Sequence, residues 1–145
     1  ATVRAGLDVL RERGAHEDDW VLVHDAARCL LRAEWADALI DACLVDAVGG
    51  LLALPLADTL KRESVGRVAA TVDRYALWLA QTPQMFRLAL LRDALDAAGE
   101  QVTDEASAIE ATGREPLLVA GALENFKLTW PADFELADRL LRSRS

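Results

Sequence analysis

The chain has 145 residues, 52% of them hydrophobic, with 16 Lys plus Arg against 24 Asp plus Glu, 8 Gly and 4 Pro. One domain of this length buries about two thirds of the surface its unfolded form exposes, so it closes a core without a disulfide or a structural metal. A net charge of -8 excludes nucleic acid as the main partner, because backbone binding needs a clustered excess of cations, yet a few placed cations still serve a small phosphorylated ligand.

Cys29 and Cys43 are the only cysteines, with neither the spacing of a zinc site nor the number of a disulfide framework, which fits a reducing compartment. The segment Ala1 to Leu10 has no basic region leading into an apolar one, and no run is long enough to span a bilayer. A cytoplasmic location, away from membranes, is the expectation.

Val3, Leu7 and Leu10 fall at helical spacing before Gly14, so Thr2 to Arg13 reads as an amphipathic helix with Thr2 able to cap it. Trp20 to His24 is a short apolar run of the kind a buried parallel strand has. Trp35, Leu39 and Cys43 mark a helix from about Glu34 to Asp46, with Gly49-Gly50 as its stop, and Leu51 to Leu56 is the next strand. From Ala57 to Thr71 the chain is polar and too long for a tight turn, an excursion with returning strands at Val68 to Val72 and Leu77 to Leu79. Gln81-Thr-Pro-Gln84 reads as a loop, and Leu88, Leu91 and Leu95 lie on a helix that ends at Gly99. Thr103-Asp104 caps a helix reaching Thr112; strands follow at Pro116 to Ala120 and Phe126 to Thr129. Pro131 opens a last helix to Arg142. The four Trp are expected in the core. Alternating strands and helices imply an α/β sheet, although neither G-x-G-x-x-G nor G-x-x-x-x-G-K-[ST] occurs.

Ligands of open α/β sheets bind beyond the carboxyl ends of strands, and charged or hydroxyl residues follow the apolar runs at five places. Asp25 and Arg28 come first, then Asp58, Thr59 and Lys61, then Asp73-Arg74, then Thr82 and Thr103, and finally Asn125 with Lys127. Together they predict a cation-rich rim. Each has an ordinary reading too: Asp25 with Arg28 is a capping pair, Lys61, Arg62 and Arg67 a solvated face, Arg74 a stem lying along apolar surface, and Lys127 an outward residue of a strand. The sharper reading of Asp25 and Arg28 is a carboxylate for Mg²⁺ and a planar fork for phosphate. His24 has no Ser or Cys placed as its nucleophile.

Six motifs stand in one order: His24-Asp-Ala-Ala-Arg28, Asp58-Thr-Leu-Lys61, Thr71-Val-Asp-Arg74, Gln81-Thr-Pro-Gln84, Thr103-Asp-Glu-Ala-Ser107 and Asn125-Phe-Lys-Leu-Thr129. From Thr2 to about Leu141 the chain thereby resembles the 2-C-methyl-D-erythritol 4-phosphate cytidylyltransferases. The resemblance implies a Rossmann-like, mostly parallel three-layer sheet of nucleotidyltransferase type, with residues 57–75 as a protruding β-arm for homodimerisation. It also implies transfer of CMP from CTP to methylerythritol phosphate with release of pyrophosphate, dependent on Mg²⁺, in non-mevalonate isoprenoid synthesis.

By the same resemblance, Asp25 holds the metal and phosphates, and Thr2, Asp25 and Ala26 contact the nucleotide. Arg28, Thr59, Thr82 and Thr103 hold the polyol phosphate. Lys127 orients the attacking phosphate, and Arg74 reaches it from a dimer partner. A phosphate is already an anion at neutral pH, so no general base is required, and cations facing the developing charge should dominate catalysis. Two departures stand out. Cys29 replaces a proline, and nothing matches the family's glycine-rich, Arg- and Lys-bearing loop. The 145 residues are therefore expected to be the C-terminal two thirds of one domain, inactive by themselves. The alternatives are a ribitol 5-phosphate cytidylyltransferase and a non-catalytic dimerisation remnant.

Overall fold

The computed structural model describes residues 2–99 and 102–144. Its elements are α1 (Thr2–Glu12), β1 (Trp20–Val23), α2 (Ala33–Leu44), β2 (Gly49–Pro55), β3 (Leu60–Ser64), β4 (Arg67–Val72), β5 (Trp78–Arg87), α3 (Leu88–Ala98), α4 (Glu105–Glu110), β6 (Leu117–Ala120) and α5 (Pro131–Ser143). Four strands form one sheet in the order β1-β5-β2-β6, and β3 pairs with β4 in a separate hairpin.

Successive residues of a strand point to opposite faces, and both faces of the central strands are covered. Leu52 of β2 and Met85 of β5 pack with Leu39 and Cys43 of α2. One residue along on each strand, Leu51 and Phe86 pack with Leu7 of α1, Leu88 and Leu91 of α3, and Ala106 and Ile109 of α4. The layers are thus helix, sheet and helix, as expected.

The sheet is not mostly parallel. Among the described strands only β2 and β6 run parallel, while β5 lies antiparallel to both β1 and β2. The cause is the arm. A parallel return needs a crossover connection, whereas here the chain leaves β2 at Pro55 and comes back opposite it at Trp78, with Leu56 N donating to Leu77 O at 3.0 Å. β1 accordingly pairs with β5 as an antiparallel, half-buried strand rather than a buried parallel one.

Four further expectations are corrected. Gly49-Gly50 does not stop α2, which ends at Leu44; the pair opens β2, where a Cβ on Gly49 would stand 2.2 Å from Met85 O and one on Gly50 2.6 Å from Leu117 O. Gln81 to Gln84 is not a loop but the middle of β5. Pro83 is tolerated there because the ladder shifts between Leu51 and Ala53, leaving residues 81–83 out of paired register. Phe126 to Thr129 forms no strand; it is irregular chain held by Leu128 N donating to Ala27 O at 2.8 Å. Trp78 and Trp130 are 40% and 70% exposed, so only Trp20 and Trp35 pack against the core.

Two of the expected caps fall where the sequence places them, whereas Thr2, expected to cap the first helix, is instead the first residue of α1. α3 stops at Gly99 with φ 62°, a conformation only glycine adopts without cost. Asp104 caps α4: its Oδ1 accepts from Ser107 N at 3.0 Å while Ser107 Oγ accepts from Asp104 N at 3.2 Å. Before α5, Asp133 Oδ2 accepts from the backbone N of both Thr129 and Trp130 at 2.7 Å. At its far end, Arg144 donates to Leu30 O at 2.9 Å and to Glu124 at 2.8 Å. No helix among the described residues is long and apolar enough to cross a membrane.

Candidate active site

Beyond the ends of β1 and of the first half of β5 lies a cleft of about 580 Å³. Its floor is the turn that leaves β1, closed by Arg28 N donating to Asp25 O at 2.8 Å. Asp25 N donates to Thr82 Oγ1 at 3.0 Å, so the turn is fastened across to β5. His24 completes this corner: its Nε2 lies 3.1 Å from Arg28 O and its Nδ1 3.1 Å from Thr82 Oγ1. Since a carbonyl only accepts, the ring proton belongs on Nε2, and the Thr82 hydroxyl donates to Nδ1.

The charged groups sit on this frame. Lys127 Nζ lies 2.6 Å from Asp25 Oδ2, with the carboxylate side chain about one third exposed. That ammonium holds the Asp25 carboxyl below its usual range, with Arg28 adding to the effect. Arg28 is better buried. Its guanidinium donates to Asn125 O at 2.6 Å and to Ala80 O at 3.2 Å, and burial lowers its pKa against the pull of Asp25.

The far wall is the start of α4. Gln84, buried in β5, donates from Nε2 to Asp104 Oδ2 at 2.9 Å and accepts on Oε1 from Ala106 N at 2.7 Å, which fixes Thr103, Asp104 and Glu105 at the rim. Burial raises the Glu105 carboxyl above its ordinary range, and the nearby carboxylates of Asp104 and Asp25 push the same way.

Of the residues singled out in the sequence, Thr2, Asp25, Ala26, Arg28, Thr82, Thr103 and Lys127 all line this one cleft. Thr59 and Arg74 do not: both are exposed on the arm connections, outside the cleft of their own chain. The rim is also less cationic than expected, with Arg28 and Lys127 facing Asp25, Asp104 and Glu105. Gln81, Gln84 and Glu105 also line the cleft and were inside the quoted motifs but not singled out, while His24 was weighed only as a base and Asp104 only as a helix cap. Two amides flanking Thr82-Pro83 between the apolar runs Leu77 to Ala80 and Met85-Phe86 were the available signal, since buried polar groups need partners.

The sequence matches the family model of IspD, 2-C-methyl-D-erythritol 4-phosphate cytidylyltransferase, over residues 1–143. It is 63% identical to a bifunctional enzyme IspD/IspF of Albidiferax ferrireducens over 145 residues, all of this chain and 35% of that protein. It is 66% identical over 135 residues to a 2-C-methyl-D-erythritol 4-phosphate cytidylyltransferase of Bordetella parapertussis, covering 91% of this chain and 59% of that one. The chain thus spans about a third and three fifths of these two curated relatives. Its fold superposes on a crystal structure of 4-diphosphocytidyl-2C-methyl-D-erythritol synthase with a TM-score of 0.90 at 51% identity, over 97% of this chain and 65% of the other. With residues of four of the six motifs lining one cleft and the match running almost end to end, the chain belongs to the 2-C-methyl-D-erythritol 4-phosphate cytidylyltransferase family.

Proposed function

We propose that the cleft is the acceptor side of an active site that transfers CMP from CTP to 2-C-methyl-D-erythritol 4-phosphate and releases pyrophosphate. The observation that carries this reading is the grouping of Asp25, Arg28, Thr82, Thr103 and Lys127 around one cleft. A phosphate oxygen of the acceptor forms the new bond to the α-phosphorus of CTP while the bond to the β-phosphate breaks and pyrophosphate departs in line. Lys127 and Arg28 bind and orient the attacking phosphate, and the hydroxyls of Thr82 and Thr103 hold the polyol or its phosphate. Thr2 and Ala26 face the nucleotide. No group in the cleft has to remove a proton, because the nucleophile is already charged.

Two anionic reactants need more positive charge than Arg28 and Lys127 supply beside three carboxylates. Among the described residues no three His, Cys, Asp or Glu side chains converge on a metal site. Mg²⁺, however, prefers one or two carboxylates with the remaining positions taken by water and substrate phosphates, and the partly open carboxylate of Asp25 fits that donor set. Asp25 would hold the ion, which when bound neutralises triphosphate charge. Arg74, on an arm that leaves the body of its own chain, and Thr59 beside it are assigned to the site of a second subunit in a homodimer.

The test uses the full-length gene product, CTP and methylerythritol phosphate, following pyrophosphate release. Lys127→Ala is expected to lower kcat/KM about 10²- to 10³-fold, the scale of removing one preorganised charge donor. Faster turnover of ribitol 5-phosphate than of methylerythritol phosphate would overturn the choice of acceptor. Full activity of Lys127→Ala would overturn the assignment of the cleft.

A further inference from the structure

The two cations of the cleft sit on segments far apart in the chain. Arg28 stands on the turn after β1, and Lys127 on the irregular loop between β6 and α5. Irregular backbone has no ladder to fix it, so something else must set the distance between them.

Asn125 occupies that place. It is fully buried and does not line the cleft. Its side-chain amide donates twice to β5, to Gln81 Oε1 at 3.2 Å and to Thr82 O at 2.9 Å. Its backbone carbonyl accepts the Arg28 guanidinium at 2.6 Å, and Lys127 follows two residues later. Gln81 closes the loop from the other side by donating from Nε2 to Ala122 O at 2.9 Å. The fit is tight: a Cβ on Gly121 would stand 2.3 Å from Gln81 Oε1. The loop that must carry a reacting cation meets the β1 turn through Leu128 N donating to Ala27 O at 2.8 Å, and the buried Asn125 amide adds the tie to the strand that carries Thr82 while its carbonyl receives Arg28.

We propose that Asn125 is a positioning residue that sets Arg28 and Lys127 at one fixed spacing across the cleft. This rests on the reading of the cleft as the acceptor site. The amide is required because both of its partners on β5 are acceptors. In Asn125→Asp a carboxylate oxygen of almost the same shape replaces the donor, faces two acceptor oxygens and pushes the loop away. Displacements of about 1 Å at a reacting group cost on the order of 10²-fold in rate.

The experiment measures the full-length gene product and its Asn125→Asp and Asn125→Leu variants with CTP and methylerythritol phosphate, alongside thermal unfolding. Ala137→Gly, in the buried face of α5 away from the cleft, serves as a variant that is only destabilised. Positioning predicts that KM for the polyol phosphate rises and kcat/KM for it falls about 10- to 100-fold in the folded Asn125 variants, while KM for CTP changes less than about twofold. Ala137→Gly should lower the unfolding temperature without splitting the two KM values. It also predicts that the losses from Asn125→Asp and Lys127→Ala are less than additive when combined. Equal shifts of both KM values, or full additivity, overturn the proposal. If neither Asn125 variant folds, Gln81→Leu removes the Asn125 bond to Gln81 Oε1 together with the Gln81 bond to Ala122 O, and the same split decides. Absence of turnover in the unaltered protein overturns the functional reading instead, so the two failures are distinguishable.

Discussion

Two buried amides, Gln84 and Asn125, frame this site from opposite sides of β5. Gln84 satisfies a donor and an acceptor at the start of α4, and the donor, the backbone N of buried Ala106, loses its partner when Gln84 is replaced. Gln84→Leu, close in size, is expected to cost about 2 kcal/mol, the penalty of leaving buried polar groups unpaired, and to loosen Thr103; urea unfolding measures the first and KM for the polyol phosphate the second. Cys43 gives a residue-scale expectation of another kind. Burial, with Asp46 nearby, raises its thiol from an ordinary value of 9.0 to about 11. The unfolded chain therefore loses this proton first. Stability from Cys43 is present in full below about pH 9 and falls as pH rises toward 11, by roughly 2 to 3 kcal/mol in all. Cys43→Ala should flatten that slope in pH-dependent unfolding, and at pH 8 a thiol reagent should label exposed Cys29 and spare Cys43.

At the scale of elements, the glycines separate two roles that one letter hides. Gly50 lies where β2 and β6 run so close that a methyl group would press on Leu117 O; Gly50→Ala should cost several kcal/mol or prevent folding. Gly6 sits on the exposed face of α1 with nothing within 4 Å of its absent Cβ, so Gly6→Ala should stabilise by about 0.5 to 1 kcal/mol. Thermal unfolding of the two variants checks both signs. The helices were legible because their evidence is local: Leu88, Leu91 and Leu95 repeat on one face, Gly99 stops them, and Asp104 with Ser107 closes a cap within four residues. β5 was not legible. Its Gln81-Thr82-Pro83-Gln84 stretch has the composition of a turn, and the irregular register against β2 that accommodates Pro83 belongs to the pairing, not to the segment. Phe126 to Thr129 failed in the opposite direction: alternating apolar residues suggested a strand, but among the described residues the segment joins no ladder and bonds instead to the turn at Ala27.

For the whole molecule the open question is the hairpin β3-β4. Nearly all of it is exposed, and Val65, Val68 and Tyr75 are 95%, 65% and 87% accessible. The assignment of Arg74 to a second subunit makes a prediction no single-chain site can imitate. Arg74→Ala and Asp25→Ala proteins, each inactive alone, should recover about a quarter of wild-type activity when unfolded and refolded together, since half the dimers are mixed and each then holds one intact site. No recovery would place Arg74 outside any shared site. The sequence by itself determined the helices, the caps at Gly99 and Asp104, the α/β class and which residues to watch, because periodicity and capping are written within a few residues of one another. Only the tertiary structure decided that the sheet is mixed, that Asp25, Arg28 and Lys127 converge while Thr59 and Arg74 stay apart, and that Asn125 and Gln84 hold the cleft in shape. Those outcomes depend on contacts between residues tens of positions apart, whose geometry is fixed by packing and by the pairing of buried polar groups.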